Sequence, residues 1–124
     1  MPKKVLLVDD ERDLVETLEF RLRAAGFEVI TAFDGLEALQ KAREQRPDLM
    51  ITDVMLPKMD GYQVCRMLKF SAEFQELPVV MLTARGQDAD KQIGRDVGAD
   101  LYITKPFDGG ELIKKVEELL QKKR

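Results

Sequence analysis

Asp9 and Asp10, Asp53, Thr83 and Lys105 each follow or closely follow a short apolar run, at residues 5–8, 49–51, 79–82 and 101–103. Together they offer carboxylates, a hydroxyl and an ammonium. The chain has no histidine and one cysteine, Cys65. That excludes the commonest general base, an internal disulfide and a cysteine-rich zinc site. An all-oxygen set suits a hard cation, and magnesium binds through one or two carboxylates plus a substrate phosphate. Clustered carboxylates repel one another, and a bound cation or a proton relieves that. Lys105 adds positive charge and Thr83 a donor, so a dianionic phosphoryl group is a sensible occupant. Asp53 stands alone on its run and is the best nucleophile. Asp9 and Asp10 can jointly hold the metal, and the product would be an aspartyl phosphate.

These residues need a scaffold that gathers run ends. Apolar runs at 5–8, 29–32, 49–51, 79–82 and 101–103 are rich in Val, Ile and Leu. A run apolar at every position reads as a strand buried on both faces, as in a parallel sheet. Between the runs lie helical stripes: Leu14, Val15, Leu18 and Leu22; Leu36, Leu39 and Ala42; Val64, Cys65 and Leu68; Ala89, Ile93 and Val97; and Leu112, Ile113, Val116, Leu119 and Leu120. Gly26 reads as a helix stop, Asp34 and Asp88 as helix caps, and Pro57 with Gly61 as a loop. Gly94 and Gly98 make the fourth helix the least helix-favouring. Five strands alternating with five helices predict an α/β fold, a (βα)5 doubly wound parallel sheet. Ligands then bind beyond the carboxyl ends of the strands, where the polar residues sit.

The length of 124 residues fits a single domain. A net charge of −3 leaves no basic footprint for nucleic acid. No apolar run approaches the ~20 residues that cross a membrane, and the first is too short for a signal-peptide core. The reading is a cytoplasmic domain with no direct nucleic-acid or membrane contact.

The stretches VLLVDDE, DLMITDVMLPKMDGYQVCRMLK, VVMLTA and GADLYITKPF resemble the receiver domain of bacterial two-component response regulators, over essentially the whole chain. The acidic pair, lone Asp, Thr-Ala and Lys-Pro in that order are specific together. The resemblance implies a flavodoxin-like sheet of order 2-1-3-4-5 and one receiver domain over 1–124, with 121–124 a frayed tail. It implies that Asp53 accepts a phosphoryl group from a phosphohistidine on a sensor histidine kinase or phosphotransfer protein. Magnesium would bind Asp10, Asp53 and the Met55 backbone carbonyl, with Asp9 mostly through water. Lys105, Thr83 and the Ala84 amide would contact the phosphoryl oxygens. Thr83 and Tyr102 would switch together, and the Lys105–Pro106 peptide would be cis. Met55 and Arg85 would modulate hydrolysis. The readout surface would be the fourth helix, fifth strand and fifth helix. Such a protein is a switch that catalyses only its own phosphorylation and dephosphorylation. With no histidine in this chain, the donor would be a partner protein or a small phosphate anhydride.

Taken singly, each residue also has an ordinary role. Asp9 and Asp10 could cap a helix, Asp53 could end a turn, Lys105 could be a solvated lysine, and Tyr102 could be packing. Cys65 and the methionines read as core fillers. An aspartate-nucleophile phosphatase of the haloacid dehalogenase type would want its nucleophile on the first strand in a DxD motif, where this chain has VDDERDL. A flavodoxin-like cofactor binder would want Ser, Thr or Gly after that strand. The output read first is a free-standing switch acting on a downstream protein, and the alternative is a receiver cut from a longer DNA-binding regulator with a fused output domain. Lys91, Glu111 and Lys115 resemble the dimer-forming charges of that branch, whereas Leu101 replaces one of its acids. The oligomeric reading is a monomer or a phosphorylation-linked dimer.

Overall fold

The computed structural model describes residues 2–84 and 98–122. Arg85, Lys91 and the helix expected around Ala89, Ile93, Gly94 and Val97 lie outside the described residues. Strands β1 (Lys4–Val8), β2 (Glu28–Ala32), β3 (Leu49–Asp53), β4 (Val79–Ala84) and β5 (Leu101–Lys105) are joined by α1 (Arg12–Ala24), α2 (Gly35–Gln45) and α3 (Gly61–Lys69). Helix α4 (Gly109–Lys122), the last of the expected helices, follows β5. The strands pair in parallel in the order β2-β1-β3-β4-β5.

Side chains alternate across a strand, so an unbroken apolar run feeds two cores. On one face, Leu6, Val8, Met50, Val79 and Met81 pack with Ala38, Leu39, Ala42, Val64, Cys65 and Leu68 of α2 and α3. On the other, Val5, Leu7, Leu49, Ile51, Val80 and Leu82 pack with Val15, Leu18 and Leu22 of α1 and Leu112 and Val116 of α4. Full burial holds for β3 and nearly for β1 and β4, but not for β2 and β5. Those two are the sheet edges, and β5 is half-buried at every position.

Some local expectations need correcting. Leu36 is 51% exposed, while Gly35, Ala38, Leu39 and Ala42 form the buried face of α2. At about 100° per residue Leu36 falls on the shoulder of that stripe, despite standing three before Leu39. Gly61 does not sit in a loop. It is the first residue of α3, behind a reciprocal cap in which Asp60 accepts from the Gln63 amide and Gln63 accepts from the Asp60 amide. Helix α4 runs on through Gln121 and Lys122, two residues expected in a frayed tail.

Gly26 takes φ +98 beyond α1, and Asp34 caps α2 by accepting from the Glu37 amide at 2.8 Å. That bond, ahead of Lys58, holds the Asp34 carboxyl below its ordinary range. Among the described residues no helix is long and apolar enough to cross a membrane.

Candidate functional site

The strands run past the apolar stretches and carry the polar residues with them. Asp53 closes β3, Thr83 and Ala84 close β4, and Lys105 closes β5. The register then brings them together. Val8 stands opposite Thr52, so Asp9 and Asp53 are the next positions along neighbouring strands. Asp53 pairs with Leu82, Thr83 with Thr104, and Ala84 with Lys105. Residues up to 96 apart in sequence thus share one sheet edge.

Lys105 occupies the centre. Its Nζ donates to Asp9 Oδ2 at 2.9 Å, Glu11 Oε1 at 3.0 Å and Asp53 Oδ2 at 3.2 Å. Burial by itself would lower the Lys105 pKa, but the bonds to Asp9 and Glu11 and the charges of Asp53 and Asp9 raise it. The ammonium is therefore a fixed charge. The Lys105–Pro106 peptide is cis.

Asp9 is fully buried and Asp53 is 8% exposed. Asp9 Oδ1 accepts from the Glu11 amide at 3.0 Å, and Asp53 Oδ1 accepts a long bond from the Met55 amide at 3.4 Å. Burial, and next the Asp9 charge, push the Asp53 carboxyl above its ordinary range, against the opposing pull of Lys105. Asp10 is exposed and completes the group. One carboxylate oxygen each from Asp9, Asp10 and Asp53 lie within 4.8 Å of one another. An all-oxygen, strongly acidic cluster with one ligand open to solvent fits a hard divalent cation that keeps some of its waters.

Thr83 is 1% exposed, and its Oγ1 has no hydrogen-bond partner among the described residues. A buried hydroxyl without a partner is costly, so an acceptor arriving there is favoured. Tyr102 lies opposite Met81 on β5, half-buried against the α2–α3 core. Met55 is 67% exposed just beyond Asp53.

Two glycines seat the loop after Asp53. An added Cβ at Gly61 would overlap the Asp53 carbonyl oxygen, and one at Gly35 would overlap the Met59 carbonyl oxygen. The Gly61 amide donates to Val54 O and the Gly35 amide to Pro57 O. Only residues without a side chain allow these approaches.

Asp9, Asp10, Asp53, Thr83, Ala84 and Lys105 thus meet at one edge, with Met55 beside them. Glu11 and the close-packed Gly35 were not identified as site residues from sequence. Glu11 extends the acidic run of Asp9 and Asp10, which was a signal, but only the fold shows that it reaches Lys105.

The model of the response regulator receiver domain matches residues 5–117. The alkaline phosphatase synthesis transcriptional regulatory protein PhoP of Bacillus subtilis is 46% identical over 98% of this chain, and the chain spans 50% of that protein. The chemotaxis response regulator CheY4 of Vibrio cholerae superposes with a TM-score of 0.90 at 36% identity, over 96% of this chain and 99% of that one. The receiver domain of the sensor histidine kinase PA1611 of Pseudomonas aeruginosa superposes at 0.89 with 29% identity, over 98% and 99% of the two chains. That structure holds a magnesium ion in its active-site cleft.

Proposed function

The chain belongs to the response regulator receiver domain family, and on that premise we propose that Asp53 takes a phosphoryl group from a phosphohistidine of a partner kinase or phosphotransfer protein. Receiver domains of this family are phosphoacceptor signalling switches. The observation that carries the residue assignment is the pairing of a buried Asp53 with Lys105, beside the buried hydroxyl of Thr83, which has no partner among the described residues.

A carboxylate oxygen of Asp53 forms the new P–O bond as the P–N bond of the donor breaks. The imidazole leaves with the electron pair and takes a proton from solvent. Asp10, Asp53 and the Met55 carbonyl would hold magnesium, with Asp9 mostly through water. Bound there, the ion supplies charge neutralisation for the transferring group. Lys105 holds a phosphoryl oxygen from the β5 side, and Thr83 with the Ala84 amide holds others from β4. Moving Thr83 toward the phosphoryl group frees space for Tyr102, which links the site to the β5 surface. The phosphorylated form biases a pre-existing equilibrium. Met55 and Arg85 tune access of hydrolytic water. The unit is one domain over 1–124, working in the cytoplasm as a monomer or phosphorylation-linked dimer.

A second reading concerns output. The 46% identity to a transcriptional regulator twice as long favours a receiver that works with an output domain over one that acts alone. The test of the central claim is labelling by acetyl phosphate with magnesium. Asp53→Asn abolishes it and Asp34→Asn does not. Labelling that survives Asp53→Asn moves the nucleophile elsewhere.

A further inference from the structure

We infer that Glu11 is the exchangeable partner of Lys105, holding the ammonium over the site until a phosphoryl oxygen displaces it. This rests on the phosphoacceptor reading of Asp53 and assigns the site one more positioning residue.

The argument starts from donor count. A lysine ammonium has three protons and no acceptor. Among the described residues three carboxylates lie within hydrogen-bond distance of Lys105, those of Asp9, Glu11 and Asp53, at 2.9–3.2 Å. The ammonium is saturated, so a phosphoryl oxygen can be bound only by giving up one partner.

The partners are not equal. The Asp9 side chain is fully buried and that of Asp53 is 11% exposed, whereas that of Glu11 is 64% exposed. Releasing Asp9 would strand a charge without water, and Asp53 stays tied to the group it carries, while releasing Glu11 returns an exposed carboxylate to solvent. Glu11 also makes no side-chain cap for α1, so letting go of Lys105 disturbs nothing else at that helix end. There is room for the exchange. Glu11 and Lys105 line one cavity of about 440 Å³ with Leu14, Ala84, Pro106 and Phe107.

Glu11 is absent from the acidic cluster that would hold a metal, which consists of Asp9, Asp10 and Asp53. Its part is therefore to compete. It keeps Lys105 in position while the phosphoryl group is absent and opposes its capture when the group arrives.

The test is the affinity of beryllofluoride, a non-covalent phosphoryl mimic, titrated calorimetrically at saturating magnesium. Glu11→Gln binds about two- to fivefold tighter than wild type, the size of an exposed ion pair given up. Asp13→Asn, an exposed acid on the first turn of α1, changes the affinity by much less. In a Lys105→Met background Glu11→Gln brings no further gain. Equal or weaker binding by Glu11→Gln overturns the inference. So does an equal gain from Asp13→Asn, or a gain that persists without Lys105, since either is a field effect. Failure of the wild type to bind beryllofluoride overturns the phosphoacceptor reading along with this one, whereas wild-type binding without the Glu11→Gln gain overturns only the role of Glu11.

Discussion

The Lys105 ammonium stands 3.2 Å from the Asp53 carboxylate, across 52 residues of chain. The contact needs two strand pairs in register and a lysine at the last position of an edge strand. It sets both the resting electrostatics of the site and how it responds to perturbation.

Lys105→Met leaves Asp9 and Asp53 facing each other without their shared cation. Unfolding by urea should show a loss of about 2–4 kcal/mol, as when one partner of a largely buried pair is removed. The raised Lys105 pKa gives the sign of the pH dependence. The stabilisation is complete below the unfolded lysine value of about 10.4 and is lost as pH rises through the folded value. The gap between wild type and variant therefore stays constant through neutral pH and closes only in strong alkali.

Asp53→Asn should stabilise the metal-free protein at pH 7. The Asp53 pKa is raised even with Lys105 beside it, so the folded state binds the proton more tightly than the unfolded chain does. Its contribution is then best below the unfolded carboxylate range of about 3.9 and is lost as pH rises through the folded value. Urea midpoints at pH 7 and at pH 4 check this. The advantage of the variant shrinks at the lower pH, and a variant less stable than wild type at pH 7 contradicts the argument.

Magnesium should raise the melting temperature, because it binds the folded acidic cluster and not the unfolded chain. At a hundredfold excess over its dissociation constant the gain is about 2.7 kcal/mol. Asp10→Asn should remove most of that gain while leaving the metal-free protein at least as stable, since one of three close carboxylates is neutralised. Differential scanning calorimetry with and without magnesium separates the two effects.

Gly35→Ala should cost about 1–3 kcal/mol, because the added methyl overlaps the Met59 carbonyl. It should also reduce the magnesium-induced shift, since the displaced loop includes Met55. Gly26→Ala is the control. It has open space but φ +98, so it costs about 1–2 kcal/mol through backbone strain and leaves the magnesium response unchanged.

Cys65 should resist thiol reagents at neutral pH. Burial pushes its thiol up to about 12 and leaves it no exposed surface. Its labelling rate should follow unfolding across a urea series.

Much of this was readable before folding. The runs of Val, Ile and Leu announced a two-sided sheet, and the polar residues that follow them pointed to one edge. Leu36 misled because an i, i+3 spacing is shared by two overlapping stripes, and only packing shows which one faces the sheet. Gly35 carried no signal, since a glycine at a helix start is unremarkable until another backbone presses on it.

The sequence by itself determined which of the described elements form and which chemistry is available, because both follow from residue type and short-range periodicity. The tertiary structure alone decided that the Lys105 ammonium donates to Glu11, 94 residues away, and that the buried Thr83 hydroxyl has no partner among the described residues. Those facts depend on strand register and on which of several carboxylates remains in water, and neither is encoded in local spacing.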